Sequence, residues 1–362
     1  MAKEHAKQEH KESTIDTKSG SLAYNRLDMQ VSQTLHMAIE LYPNLNYLLV
    51  LDHYDDITCF DDDISPEIVS YYQMKTNEES ISIDTAISLN WISRLYEKLD
   101  NPEWFIKELG LITNCPLKVS VKTKDTNGKS HSEEKKYTSE RTPFLSFNPI
   151  MVNKIKNDIA NKKGISPLTV DLSKFYHMRT TLSISKHKEI VEQEMSNFLQ
   201  DQYPRITVES VKTIYNSMLR FLSERQAYEN LDKTASLNEV RQKKGISKSD
   251  FSRIIENSMY ISVPAFSEIS QWMGYTNEER PNAALEYTNI LSDLSQKSPS
   301  FSVIFQQVKR VFDQNARGDG ETIKTYCEKI YDLLPNKSPI YSKTYVAILV
   351  ASMIINKWRR SI

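Results

Sequence analysis

The chain has 362 residues, 46 basic against 47 acidic, with a formal net charge of −1 and 39% hydrophobic residues. That length suits two domains, or one large domain with an appendage, and the apolar share is enough for a buried core. Near-neutral charge excludes an overall basic nucleic-acid binder, so any nucleic-acid surface has to be a local patch. With only 8 glycines, and neither a GxxxxGKS/T nor a GxGxxG run, P-loop ATPases, kinases and Rossmann dehydrogenases are excluded.

Residues 1–20 are polar and aperiodic and read as a flexible lead-in, without the apolar stretch of a secretory signal. Leu27, Val31, Leu35, Ala38, Ile39 and Tyr42 then recur at helical spacing until Pro43. Tyr47–Leu51 is a short apolar run that suits a buried strand. The acidic stretch Asp52–Asp56 leads into Ile57–Phe60, and Asp61, Asp62 and Asp63 form a polar turn before a third strand at Ile68–Lys75. Residues 84–99 return to helical spacing through Ile87, Trp91, Ile92, Leu95 and Leu99. Glu108–Thr113 and Leu117–Val121 read as strands, and Asn127-Gly128 is the preferred dipeptide of a tight hairpin turn across 117–138.

After Pro149 strand signals nearly vanish. Residues 185–200, 208–222 and everything from about 236 onward read as helices, with 236–258 expected as a helical hairpin around Gly245. The closing apolar segment Tyr345–Trp358 is shorter than the about 20 residues a membrane span needs, so it predicts a buried helix. Cys59, Cys115 and Cys327 are odd in number and widely spaced. They suit neither a disulfide framework nor a zinc site, and the expectation is a reducing cytoplasm.

Chemistry concentrates between Asp55 and Lys75. Residues two apart on a strand share a face, so Gln73 and Lys75 point one way while Tyr72 and Met74 point the other. Asp56, beginning the preceding strand, can reach the same edge. A carboxylate and an amide oxygen are hard ligands suited to Mg²⁺ or Mn²⁺, and a lysine beside them can offset charge developing on a phosphate. Asp55 can take the place of Asp56, because a shift of one residue swaps the faces. Glu40, on the first helix, is a further candidate acid.

The order of these pieces carries a resemblance. Ser19-Gly20, Arg26-Leu27-Asp28-Met29-Gln30 and Ala38, then Asp55-Asp56-Ile57, then Tyr72-Gln73-Met74-Lys75-Thr76, resemble the nuclease domain of the CD-NTase-associated double-stranded-DNA endonucleases. That PD-(D/E)XK domain also serves the nuclease subunit of Lamassu-type and HerA-coupled antiphage systems. Ile112-Thr113-Asn114 and Thr180–Leu199 extend the resemblance to roughly residues 19–225. It implies an α/β restriction-endonuclease-like core over 21–230, followed by an all-α C-terminal domain over 231–362 that docks a partner or oligomerises. It further implies Asp56 as metal-binding acid, Gln73 as second ligand, Lys75 as catalytic lysine and Gln30 as a supporting residue. Met29 and Leu27 depart from the aromatic residues usual in the family.

The implied activity is Mg²⁺-dependent cleavage of double-stranded DNA by a defence effector, controlled by an SMC-like or HerA-like ATPase partner and by homo-oligomerisation. Candidate DNA contacts are Lys118, Lys122 and Lys124 on the hairpin and Lys154, Lys156, Lys162 and Lys163 after the core. Two rivals stand beside it: a non-catalytic scaffold or DNA-binding subunit that keeps a degenerate core, and a nuclease acting on RNA or single strands.

Overall fold

The computed structural model describes residues 19–100, 102–124, 130–204, 206–232, 234–261, 263–296, 299–335 and 341–360. Residues 1–18 of the lead-in and the Asn127-Gly128 turn lie outside the described residues. The fold is a mixed α/β sheet structure with a helical C-terminal region, in two compact units: Met1–Met195 with Tyr215–Ser252, and Ser196–Ile214 with Arg253–Ile362.

In the first unit, helix α1 (Ser19–Leu41) buries Met29, Val31, Leu35 and Ala38 and stops two residues before Pro43, whose ring disfavours helical backbone in the residue ahead of it. Strands β1 (Leu48–Leu51), β2 (Ile57–Phe60) and β3 (Ile68–Lys75) form an antiparallel meander. Strand β4 (Ile81–Ser82) and helices α2 (Ile83–Ser88) and α3 (Trp91–Glu97) cross over to β5 (Phe105–Thr113), which runs parallel to β3. The periodicity of 84–99 is that of one helix, but the structure breaks it at Leu89 and Asn90. Asn90 takes a left-handed conformation at φ 62°, which its short polar side chain tolerates.

A small second sheet follows, β4 beside β6 (Leu117–Lys124), which pairs antiparallel with β7 (Ser130–Tyr137) in the register Leu117↔Tyr137 to Lys124↔Ser130. Strand β8 (Arg141–Pro143) and helix α4 (Pro149–Lys163) come next. Two strands then appear where sequence periodicity shows none. β9 (Phe175–Arg179) pairs parallel with β5, and β10 (Gly245–Ser247) pairs antiparallel with β1, giving the order β10-β1-β2-β3-β5-β9-β8. The helical hairpin expected over 236–258 is therefore helix α7 (Leu237–Lys244), the strand, and helix α8 (Lys248–Ile261). Gly245 makes the strand possible. A Cβ there would lie 2.7 Å from Leu48 Cδ1 and 2.8 Å from the Arg241 carbonyl oxygen. Helices α5 (His187–Gln202) and α6 (Val208–Gln226) lie between β9 and α7 in the chain.

The core of this unit is one sheet face. Leu48, Val50, Phe60, Val69, Tyr71, Leu109 and Leu111 pack against Ile87, Ile92, Leu95 and Ile155 of α2, α3 and α4. Burial of each such side chain stabilises by roughly 1.5–3 kcal/mol. The second unit is helical and has its own core. Helix α9 (Phe266–Met273) is followed by α10 (Arg280–Gln296), α11 (Pro299–Gln314), α12 (Ile323–Asp332) and α13 (Lys343–Arg360). α11 carries Phe301, Ile304, Phe305, Val308, Val311 and Phe312 on one face. α13 buries Val346, Ile348, Leu349, Val350, Met353 and Ile355, so the closing apolar segment is a core helix as expected. Among the described residues no helix is long and apolar enough to cross a membrane.

Gly110 lets Tyr72 lie flat across β5. A Cβ on it would stand 2.5 Å from Tyr72 Cδ1 and 3.1 Å from Met178 Sδ. Gly110→Ala is expected to lower stability by about 1–3 kcal/mol through overpacking. Urea unfolding checks this: an unchanged midpoint would show that the Tyr72 ring moves aside freely.

Candidate active site

Asp56 closes the β1–β2 turn. Its carbonyl oxygen accepts from Asp52 N–H at 3.2 Å, and Asp52 turns the chain at φ 48°. The antiparallel register ends at Ile57↔Tyr72, so Asp56 stands opposite Gln73 one step further on. Asp56 Oδ2 accepts from the Met74 backbone N–H at 2.7 Å and from Lys75 Nζ at 3.2 Å. Two donors saturate that oxygen, and Oδ1 has no hydrogen bond among the described residues. The Asp56 and Lys75 side chains are 21% and 24% exposed, so both reach solvent. Lys75 Nζ also sits 5.5 Å from the centroid of the Trp91 ring, which opens α3. Its ammonium is held between a carboxylate and an aromatic face.

Gln73 shares this face and is 6% exposed. Its Oε1 is buried without a hydrogen-bond partner among the described residues. An unpaired buried acceptor costs about 1–3 kcal/mol, so such atoms call for an explanation. A hard cation supplies one: the amide oxygen of Gln73 and the free Oδ1 of Asp56 are the donor types Mg²⁺ takes. Among the described residues no group of three or more His, Cys, Asp or Glu side chains converges to hold a metal. The donor set therefore fits a cation that keeps most of its waters, as Mg²⁺ commonly does beside one or two protein oxygens and a phosphate.

Asp55 is committed elsewhere. Its Oδ1 accepts from the Asp56 backbone N–H at 3.0 Å, and its Oδ2 lies 3.6 Å from Lys98 Nζ. Burial pushes its carboxyl above the ordinary aspartate value, and the Lys98 ammonium and the Asp56 N–H pull it back. Lys98 also donates to the Tyr54 carbonyl and lies 5.4 Å from the centroid of the Tyr71 ring. Gln30 of α1 lines a small cavity with Lys75, and its Oε1 accepts from Gln226 Nε2 at 2.7 Å.

Glu40 is not brought to this cluster. It stands ten residues beyond Gln30 on the same helix, about 15 Å along the axis, and pairs with His36 at 3.6 Å. It lines a larger cavity of about 680 Å³ with Ser70, Tyr72 and Ile112, residues of the opposite sheet face. One carboxylate of that lining, Glu108, accepts from the Tyr72 hydroxyl and from Arg141 Nη2 at 2.6 Å. Four of the seven lysines proposed for DNA already have carboxylate partners. Lys118 pairs with Glu134 at 2.6 Å, Lys154 with Asp84 at 2.7 Å, Lys162 with Asp158 at 2.6 Å, and Lys163 with Asp100. Lys122 is exposed and Lys156 half-buried, neither with an ion pair among the described residues, and Lys124 ends β6.

Sequence reasoning missed Trp91 and Lys98. They are seven residues apart and so return to one side of a helical pattern, but only the fold sets Trp91 against Lys75 and Lys98 against the Asp52–Asp56 loop. It also missed His177, which follows Gln73 and Leu111 along one cross-strand row. His177 is fully buried, with Nε2 2.8 Å from Thr113 Oγ1. That hydroxyl gives its proton to the Cys115 carbonyl, so Nε2 carries the ring proton. Its Nδ1 has no partner among the described residues.

No known family profile matches the chain. It is similar to the Lamassu protein LmuA of Bacillus cereus (strain VD014), 25% identical over 252 residues that cover 69% of this chain and 67% of that protein. Among solved structures, the Cap4 SAVED/CARF-domain containing receptor of Moraxella osloensis aligns with a TM-score of 0.38 and 14% identity, over 65% of this chain and 47% of that one. The Acinetobacter baumannii Cap4 receptor gives 0.36 and 12%, over 70% and 47%. The chain thus spans about half the length of those receptors, and likenesses this loose carry no assignment of site or activity.

Burial pushes the His177 ring down to about 4, with Arg179 adding to the effect. The unfolded chain takes up a proton near pH 6.5 that the folded chain refuses. Stability from this residue is therefore whole above pH 6.5 and lost between 6.5 and about 4, by up to about 3 kcal/mol. His177→Gln is expected to flatten the acid limb of the stability–pH profile in that window. An unchanged limb would show that other groups govern it.

Proposed function

We propose that this chain is a metal-dependent nuclease with a restriction-endonuclease-like core, the DNA-cleaving effector of an antiphage defence system. The observation that carries the reading is the juxtaposition of Asp56, the partnerless Gln73 Oε1 and Lys75 on one face at the meeting of β2 and β3. The element order supports it: a helix, an antiparallel three-stranded meander, a helical crossover and a parallel strand follow the order that the resemblance implies. The similarity to a Lamassu protein supports the defence role and a complex with partner subunits, of which the resemblance in sequence implies an ATPase. Copies of the chain would assemble when active, since one such core cuts one strand.

Asp56 Oδ1 and Gln73 Oε1 would hold a Mg²⁺ or Mn²⁺ ion. Such an ion would supply Lewis-acid stabilisation of a phosphate and a bound water more acidic than bulk water. Asp56 and Trp91 fix the ammonium of Lys75 beside that position, where it offsets negative charge developing on the phosphate. The Asp55–Lys98 pair keeps the turn that presents Asp56 in one conformation. The thin donor set favours one alternative, a scaffold with a degenerate core, and the same experiment separates the two.

Lys75→Ala is expected to lower cleavage of supercoiled plasmid in Mg²⁺ by about 100-fold or more, with the fold retained. Asp56→Asn is expected to do the same and Asp55→Asn to cost less, while chelation stops the parent chain. Plasmid nicking and linearisation on gels, with circular dichroism beside them, provide the check. A parent chain that never cuts, concentrated or with its partner subunits present, favours the scaffold; equal rates for Lys75→Ala and parent remove the assigned lysine.

A further inference from the structure

Beside the catalytic face lies a cavity of about 160 Å³, lined by Arg26, Gln30, Met74, Lys75, Thr76 and Trp91. It is of the size of one nucleobase and far too small for a duplex. Its chemistry is mixed in an informative way. Trp91 gives an aromatic wall, and the same ring braces Lys75 at 5.5 Å. Gln30 spends its Oε1 on Gln226, which leaves the Nε2 donor of the amide without a bond among the described residues. Arg26 is exposed and makes no ion pair among the described residues. A guanidinium without a carboxylate partner beside an aromatic wall is the combination that holds a nucleic-acid strand: the ring stacks a base, and the cation takes a phosphate.

We propose that this cavity is a subsite for a single unpaired nucleobase next to the cleaved phosphate. Trp91 stacks the base, Gln30 Nε2 donates to an acceptor on its edge, and Arg26 contacts a neighbouring phosphate. The inference rests on the nuclease reading and narrows its substrate class. The preferred nucleic acid carries a base outside the helical stack, in a single strand, a loop or a locally opened duplex. A fully paired duplex presents its bases edge-on within the stack and cannot fill the cavity without extruding one.

The test measures binding without chemistry. A short deoxyoligonucleotide is titrated into the full chain with Ca²⁺ in place of Mg²⁺, and tryptophan emission is followed. The chain has four tryptophans, so the part of the quenching that disappears in Trp91→Phe reports on this ring, with Trp104, Trp272 and Trp358 as a constant background. Trp91→Ala is expected to weaken binding about ten-fold or more, and Trp91→Phe to recover most of it. An oligonucleotide with an abasic residue at each position in turn should bind the parent as weakly at one position as the intact strand binds Trp91→Ala, and should lose nothing further on that variant. Arg26→Ala, at an exposed helix position, is expected to reduce the slope of log K against log salt by about 0.7, one single-strand phosphate contact.

Equal affinity of parent and Trp91→Ala for the intact strand, or of intact and abasic strands for the parent, overturns the subsite. So does a parent that prefers a blunt, fully paired duplex to every strand with an unpaired base. A chain that shows the Trp91-dependent binding and cleaves nothing in Mg²⁺ or Mn²⁺ keeps the subsite and loses the nuclease reading. Plasmid cleavage that survives with no role for Trp91 does the reverse. Failure to bind any oligonucleotide sinks both.

Discussion

One carboxylate oxygen organises the candidate site. Asp56 Oδ2 receives a backbone N–H of β3 and the ammonium of Lys75, so a single atom ties the start of β2 to the end of β3. A charge-assisted bond to a backbone N–H contributes about 1.5–3 kcal/mol, enough to hold the side chain in one rotamer. With Oδ2 so engaged, Oδ1 is left without a hydrogen bond among the described residues, beside the strand that carries Gln73 and Lys75. Geometry at this corner follows from hydrogen bonding before any ligand arrives.

The corner is held from behind by cations that never meet it. Lys98 braces the turn through Asp55 and the Tyr54 carbonyl. On the other side of the turn, Lys244 is 4% exposed and lies 3.8 Å from Asp52 while donating to the Gln226 carbonyl at 3.1 Å. Burial lowers the proton affinity of Lys244 and Asp52 partly restores it. Arg241 pairs with Asp63 at 2.7 Å, at the far end of β2. The acidic stretch from Asp52 to Asp63 is therefore a set of anchoring points for three cations that the chain delivers from α3 and α7.

That arrangement explains what could be read from the residues alone. Ile68–Lys75 is legible because Ile68, Val69, Tyr71 and Tyr72 give it the β-branched and aromatic character of a buried strand, and alternation then assigns Gln73 and Lys75 to one face. Asp56 and Asp55 are not separable by pattern. Which of them reaches Lys75 depends on where the β2 register begins, and that is a property of the turn. β9 and β10 escape notice for different reasons. Phe-Tyr-His-Met-Arg carries His177 and Arg179, which break an apolar pattern although His177 is buried beside Thr113. Gly-Ile-Ser is three residues long, below the length at which any period exists. The polar turn expected at Asp61–Asp63 holds for Asp61 and Asp62, which accept from nearby backbone N–H groups, but Asp63 is buried against Arg241.

The edge strand β10 gives the fold a temporal order as well as a spatial one. β1 to β3 form from neighbouring residues, and a nascent chain can pair them early. The outer edge of β1, a row of unpaired backbone groups and so a template for another chain, stays uncovered until residues 245–247 arrive. Closing a loop of almost 200 residues between Leu48 and Ser247 is an entropically late event. Until then Lys244 is absent from the Asp52–Asp56 turn and Arg241 from Asp63. During synthesis, at roughly 5–20 residues per second, the chain spends on the order of ten seconds or more with the meander made and the acidic turn unsupported. The corner at Asp56 thus gains its brace from Lys244 only once the chain has been made past residue 247.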